Sequence, residues 1–135
     1  MITPSLAREL RDAGLRWTPR SGDRFQLDQP ELDGETYTVS ELTIETHEYA
    51  TGTVLGFNGT TEWALDSVPV DAALWLPRED QLRDLLRGTF RRLERRDDDY
   101  AVTIELDGSE HTTSSLVAAE AYGRALLELL TRATR

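Results

Sequence analysis

The chain has 135 residues, no cysteine, no lysine, fifteen arginines and twenty-five acids, giving a net charge of −10. These absences exclude a thiolate nucleophile or metal ligand, a Schiff-base amine and a P-loop lysine; arginine stands in for none of them, because its guanidinium stays protonated. The length suits a single globular domain, 1–135, with a core of its own, and the acidic surface repels nucleic acid and anionic lipid at long range.

Thr3 as cap, Pro4 at the first helical position and Gly14 past the end predict a helix over 3–14, with Leu6 and Leu10 on one face. A turn-rich stretch from Trp17 to Asp23 leads to a short strand at 25–27. Residues 36–49 carry a β signal whose phase slips near Ser40-Glu41, as a bulge or bend would produce. Segments 53–57 and 60–65 flank Asn58-Gly59, the strongest short-range hairpin signal. A second helix is expected over 76–87, entered through Pro77, striped by Leu82, Leu85 and Leu86, and stopped by Gly88. Strands 89–96 and 100–106 pair across Asp97-Asp98-Asp99, and Asp107-Gly108 turns the chain into a short strand at 109–112. Ser114-Ser115 reads as the cap of a last helix over 115–132. Its apolar stripe is Leu116, Ala119, Gly123, Leu126, Leu127 and Leu130, with Gly123 allowing close approach to the sheet. This order of elements predicts an α+β fold: an antiparallel β-sheet of about 5–7 strands in hairpins, covered by three helices. No apolar run reaches the roughly 20 residues of a membrane span, and the N-terminus opens straight into an amphipathic segment. A cytoplasmic location without signal peptide or membrane association is expected.

Few positions carry a chemical pattern. Gly52, Gly56 and Gly59 lie close together, but no helix follows them and lysine is absent, so neither a P-loop nor a dinucleotide fingerprint is present. No Gly-x-Ser-x-Gly elbow occurs. Only His47 and His111 titrate near neutrality unaided. Glu45 and His47 would share a face of a strand, as a metal pair does, yet no third ligand is marked by spacing. Among so many acids, spacing selects no general acid or base. No catalytic residue, metal site or cofactor is therefore expected.

Segment 78–96 holds seven arginines and four acids, net +3, which leaves −13 for the rest. That asymmetry does not outweigh the acidic field, so nucleic acid is not an expected partner. Ion pairing along helix and strands would absorb the cluster on a solvated surface. Aromatics at element junctions serve either as core or as ligand stackers. Trp75 reads as core; Trp17 and Trp63 fit either role. The binding candidates are Trp17, His47, Asn58 and Trp63.

The stretch Gly56-Phe57-Asn58-Gly59-Thr60-Thr61-Glu62-Trp63-Ala64-Leu65-Asp66-Ser67, the step Leu74-Trp75-Leu76-Pro77-Arg78-Glu79-Asp80-Gln81-Leu82 and the opening Leu10-Arg11-Asp12-Ala13-Gly14-Leu15-Arg16-Trp17 resemble a family of small actinobacterial proteins. Its members are often labelled pilus-assembly protein CpaE. The ATPase chemistry of that label requires a phosphate-binding lysine, which this chain lacks. The resemblance implies a bacterial origin and carries over no catalytic residue.

Three functions compete. The first is a non-catalytic accessory or interaction module with a protein partner, including a second copy of itself. The second is a small-ligand protein or enzyme that uses Asp or Glu with His47. The third is an acidic inhibitor or neutraliser of a basic partner. An exposed apolar patch favours the first, and a deep pocket with convergent carboxylates the second. Acids grouped on one face favour the third.

Overall fold

The computed structural model describes residues 1–27, 35–39, 44–49, 52–57, 67–69 and 72–133. In chain order its elements are α1 (Pro4–Asp12), β1 (Arg24–Leu27), β2 (Thr36–Thr38), β3 (Ile44–Tyr49), β4 (Gly52–Phe57), β5 (Ser67–Pro69) and β6 (Ala73–Trp75). There follow α2 (Glu79–Leu86), β7 (Phe90–Arg95), β8 (Tyr100–Leu106), β9 (Ser109–Ser115) and α3 (Ala118–Ala133). Every strand pairing is antiparallel, and the class is α+β. The described strands divide among three three-stranded sheets. The chain falls into two compact units, one of Met1–Arg16 with Pro77–Arg135 and one of Trp17–Leu76.

In the first unit, α1 is bounded as its sequence requires. Thr3 Oγ1 accepts a hydrogen bond from Leu6 N–H at 3.2 Å, and Pro4 takes the first helical position. At the other end Leu15 N–H reaches Leu10 O and Gly14 N–H reaches Arg11 O, both at 3.0 Å. These two bonds make a Schellman close. Helix α2 is shorter than the expected 76–87. Gln81 Oε1 accepts from Arg78 N–H at 2.9 Å to close its first turn, where Glu79 and Asp80 also face the helix dipole. The left-handed residue that ends α2 is Arg87, with φ 51°, and not Gly88.

Strands β7, β8 and β9 form a meander. Leu106 lies opposite Ser109, so Asp107-Gly108 is a two-residue turn, and both residues have positive φ, 52° and 80°. This is a type I′ hairpin, whose twist matches the strands it joins. One face of the sheet carries Phe90, Val102, Ile104, His111 and Thr113. Helix α3 covers that face: the Phe90 and Tyr122 rings lie 5.7 Å apart, and Thr113 Oγ1 donates to Ala121 O at 2.9 Å. Leu82, Leu86, Val102, Ile104, Ala121, Tyr122, Ala125 and Leu126 are all buried in this unit.

Helix α3 begins later than expected. Ser114 and Ser115 are the last residues of β9, which runs past 112 because Thr112 and Thr113 are β-branched and pair with β8. Val117 O accepts the first helical bond, from Ala121 N–H at 3.1 Å, so Val117 holds the cap position. Leu116 consequently lies outside the helix and is 76% exposed, whereas Leu126 of the same expected stripe is 2% exposed. Gly123 meets α1 and not the sheet: a Cβ there would stand 2.7 Å from Leu6 Cδ2 and 3.5 Å from Ile2 Cγ2.

In the second unit, the β signal over 36–49 is split between two sheets. β2 pairs with β1, while β3 pairs with β4; the phase slip expected near Ser40-Glu41 lies outside the described residues. β1 also pairs with β6, placing Phe25 between Tyr37 and Trp75. β4 pairs with β3 and β5. The expected Asn58-Gly59 turn and the strand at 60–65 lie outside the described residues.

Burial separates two leucines that one apolar stripe would treat alike. Leu126→Ala is expected to cost about 2–5 kcal/mol and Leu116→Ala less than about 0.5 kcal/mol, both read from urea denaturation. Gly123→Val drives a branched side chain into Leu6 and is expected to cost about 1–3 kcal/mol. Gly108→Val forces a β-branched residue to positive φ and is expected to cost a similar amount, about 1–3 kcal/mol. Equal stability of either glycine variant and the parent would refute the corresponding assignment.

Candidate functional site

The candidates named from sequence are not brought together among the described residues. His47 lies in β3 opposite Val54, and Glu45 lies opposite Gly56. Asn58 and Trp63 lie outside the described residues. Trp17 belongs to an aromatic cluster over the β2–β1–β6 sheet. Its ring centroid is 5.3 Å from Phe25 and 6.4 Å from Trp75, the latter nearly parallel at 12°, and Phe25 is in turn 5.6 Å from Tyr37. The register explains this row, because Tyr37, Phe25 and Trp75 stand opposite one another on three adjacent strands.

Trp17 is also tied through its nitrogen. Its indole N–H donates to Asp23 Oδ2 at 2.9 Å, and Arg20 N–H donates to the same oxygen at 3.0 Å. Asp23 is 2% exposed, so its carboxylate is removed from water and depends on such donors. Trp17 therefore fixes the turn that leads into β1. Trp75 Nε1–H is buried and, among the described residues, meets no acceptor. Burial, with Glu35 beside it, pushes the Tyr37 hydroxyl above its ordinary value. Trp17→Phe keeps an aromatic ring but withdraws one donor from buried Asp23. It is expected to cost about 1–3 kcal/mol in urea denaturation, and an unchanged midpoint would show that the N–H bears no structural load.

Three of the seven arginines of segment 78–96 form local ion pairs among the described residues: Arg78, Arg91 and Arg92. On the sheet face away from α3, the Arg92 guanidinium bridges Glu94 at 2.8 Å and Glu110 at 3.1 and 3.2 Å, crossing the central strand. Beneath it Thr103 and Thr112 share a 2.9 Å hydrogen bond, and Thr103 is fully buried. Arg91 pairs with Glu105, and Arg78 with Asp80 at 3.1 Å. His111 and Arg132 flank Glu128 on the helix-covered face, with Nδ1 3.8 Å and Nε 2.9 Å from Oε1. Among the described residues no three His, Asp or Glu side chains group to hold a metal ion. No described helix is long and apolar enough to cross a membrane.

Hydrogen bonds from Arg92 hold the Glu110 carboxyl below the usual carboxylate range, with charge attraction adding to them. A depressed folded-state value means the pair's contribution is present above the unfolded carboxylate value and is lost as pH falls through the folded one. Both groups are exposed, so salt screens the effect. Arg92→Gln is expected to raise the Glu110 midpoint toward the ordinary range in a carboxyl-detected NMR titration. An unmoved midpoint would show that the ion pair does not form in solution.

One end of the β7–β8–β9 sheet differs from this paired surface. Arg95, Tyr100 and Ser115 stand in one cross-strand row there. Beyond Ser115 come Leu116, 76% exposed, and Val117, 45% exposed. Met1, 56% exposed, lies two residues before Thr3, whose N–H donates to Glu120 in the first turn of α3 at 3.1 Å. Leu93, 38% exposed, lies two residues inside Arg95 on β7. These four are the exposed large hydrophobics among the described residues. The adjoining turn carries Arg95, Arg96, Asp97 and Asp98, all exposed, and closes through Arg96 N–H to Asp99 O at 2.8 Å. Among the described residues neither Arg95 nor Arg96 joins an ion pair, in contrast to Arg91 and Arg92. Sequence reasoning missed this patch by enclosing Leu116 in a helix. The usable signal was Thr112-Thr113 ahead of Ser114-Ser115, which favours strand over helix.

Comparisons with protein-family models, with curated proteins and with solved structures find no match to this chain.

Proposed function

We propose that this chain is a non-catalytic protein-interaction module that docks through the sheet end formed by Leu93, Met1, Leu116 and Val117. The observation carrying the reading is that Leu116 and Val117, adjacent in the β9–α3 connection, are 76% and 45% exposed. Scattered exposed hydrophobics are ordinary on a soluble surface, whereas grouped ones mark contact surfaces. The unpaired arginines of the adjoining turn add a polar rim, as interfaces have around an apolar centre. Local stability supports the same reading. Val is among the poorest residues at a helix cap, where Ser, Asp or Asn would satisfy an orphan N–H. At Val117 an exposed apolar side chain takes the place of a better cap.

Chemical cross-linking in the native host, followed by mass spectrometry, tests the reading. The parent chain is expected to yield a cross-linked protein partner, and Leu116→Asp is expected to reduce that product severalfold. Leu116 is 76% exposed, so folding is expected to survive the substitution. A partner captured equally well by Leu116→Asp would place the docking surface elsewhere and overturn the assignment.

A further inference from the structure

We infer that the occupant of this sheet end is a second copy of the chain, related by a two-fold axis, an inference that rests on the interaction-module reading. The argument lies in the sign pattern of the turn. Arg95-Arg96-Asp97-Asp98-Asp99 runs from two cations into three anions across the end of β7 and its connection to β8. The two-fold operation brings the same patch of each copy together, so residue i meets j while j meets i. A patch bearing both signs side by side is complementary to itself under that operation. The arginines of one copy then face the aspartates of the other, twice.

A partner of single sign satisfies only half of this turn. A purely acidic partner segment meets Arg95 and Arg96 but is repelled by the three aspartates, and a purely basic one meets the reverse. The apolar residues beside the turn supply the part of the contact that excludes water. The charges set its orientation. Self-association must overcome the chain's net charge of −10. At physiological ionic strength that repulsion is screened over roughly 8 Å, while the turn-to-turn pairs act within it. The patch is small, so the dimer is expected to be weak and concentration-dependent.

Val117→Asp separates association from folding. It removes an apolar contact but places a capping carboxylate at the start of α3, where the helix dipole favours it. Sedimentation equilibrium of the full chain is expected to show dimer forming by about 100 μM, with Val117→Asp weakening it about tenfold or more. The thermal midpoint of the variant, read on dilute monomer, is expected to equal or exceed that of the parent. The charge arrangement has its own test. Arg95→Glu with Arg96→Glu makes the turn wholly acidic, and Asp97→Arg with Asp98→Arg makes it mainly basic. Each double variant alone is expected to lose self-association, and an equimolar mixture is expected to restore a dimer containing one copy of each.

A parent chain that stays monomeric to about 1 mM would overturn the second-copy inference. If a different partner is still captured in a Leu116-dependent way, the interaction-module reading stands without it. A parent dimer that the variants leave intact would place self-association on another face. Failure of the mixture to restore the dimer would overturn the turn-to-turn pairing.

Discussion

The first unit depends on the junction between the starts of α1 and α3. That unit is assembled from two chain segments, Met1–Arg16 and Pro77–Arg135, with the whole of Trp17–Leu76 between them. Nothing covalent holds α1 beside α3 over so long an interval, and closing the loop opposes folding entropically. Thr3 resolves this with three contacts. Its hydroxyl caps α1 through Leu6 N–H, and its own N–H and hydroxyl donate to Glu120 at 3.1 and 3.4 Å. Glu120 in turn puts a negative charge in the first turn of α3, where the dipole favours one. A turn further on, Gly123 lets Ile2 and Leu6 pack against the helix backbone. Capping, charge and close packing therefore act at one place, and the sheet's covering helix is positioned by it.

Features encoded over a few residues were legible from sequence. The Thr3-Pro4 start and Gly14-Leu15 close of α1 follow from local hydrogen-bond demand, and both occur. The β7–β8 hairpin follows from clean period-two alternation, and the Asp107-Gly108 turn from the ease of positive φ at those residues. What was not legible depends on distant partners. Phe25 pairs with Trp75 across fifty positions, and nothing local marks Ala73–Trp75 as a strand. Likewise 36–49 reads as one β signal because alternation reports a strand without naming its sheet. The start of α3 was misplaced for a competing reason. Ser114-Ser115 favours a cap, but cross-strand pairing with Tyr100 and Ala101 keeps both serines in β9.

The candidate site shows the same division. Local ion pairing was readable in part: Arg91 pairs with Glu105 on β8, and Arg92 with Glu94 on its own strand and Glu110 on β9. The role of Trp17 was not, because its decisive contact is a buried carboxylate six residues away in an irregular turn. No periodicity reports such a bond. The apolar patch was hidden by a stripe that looked continuous from Leu116 to Leu130. The stripe begins instead at Ala119, and two hydrophobic residues are left in the connection.

That leftover pair is hard to explain by folding alone. A helix cap is a position where a short polar side chain stabilises the chain at no packing cost. Leu116 and Val117 have little to gain from the core, because both are exposed. Ser115 is already close enough for its Oγ to accept from Val117 N–H at 3.4 Å, so the connection has a polar residue one step before the pair. Local and global preferences normally agree, and departures concentrate where a residue answers to something other than its own fold. Here the departure coincides with two arginines left unpaired among the described residues, in a segment whose other strand arginines are paired. The apolar cap is the departure from local preference, whereas the exposed arginines are satisfied by water and remain free for a partner's charge. Under the proposed docking reading the two features belong to one contact surface.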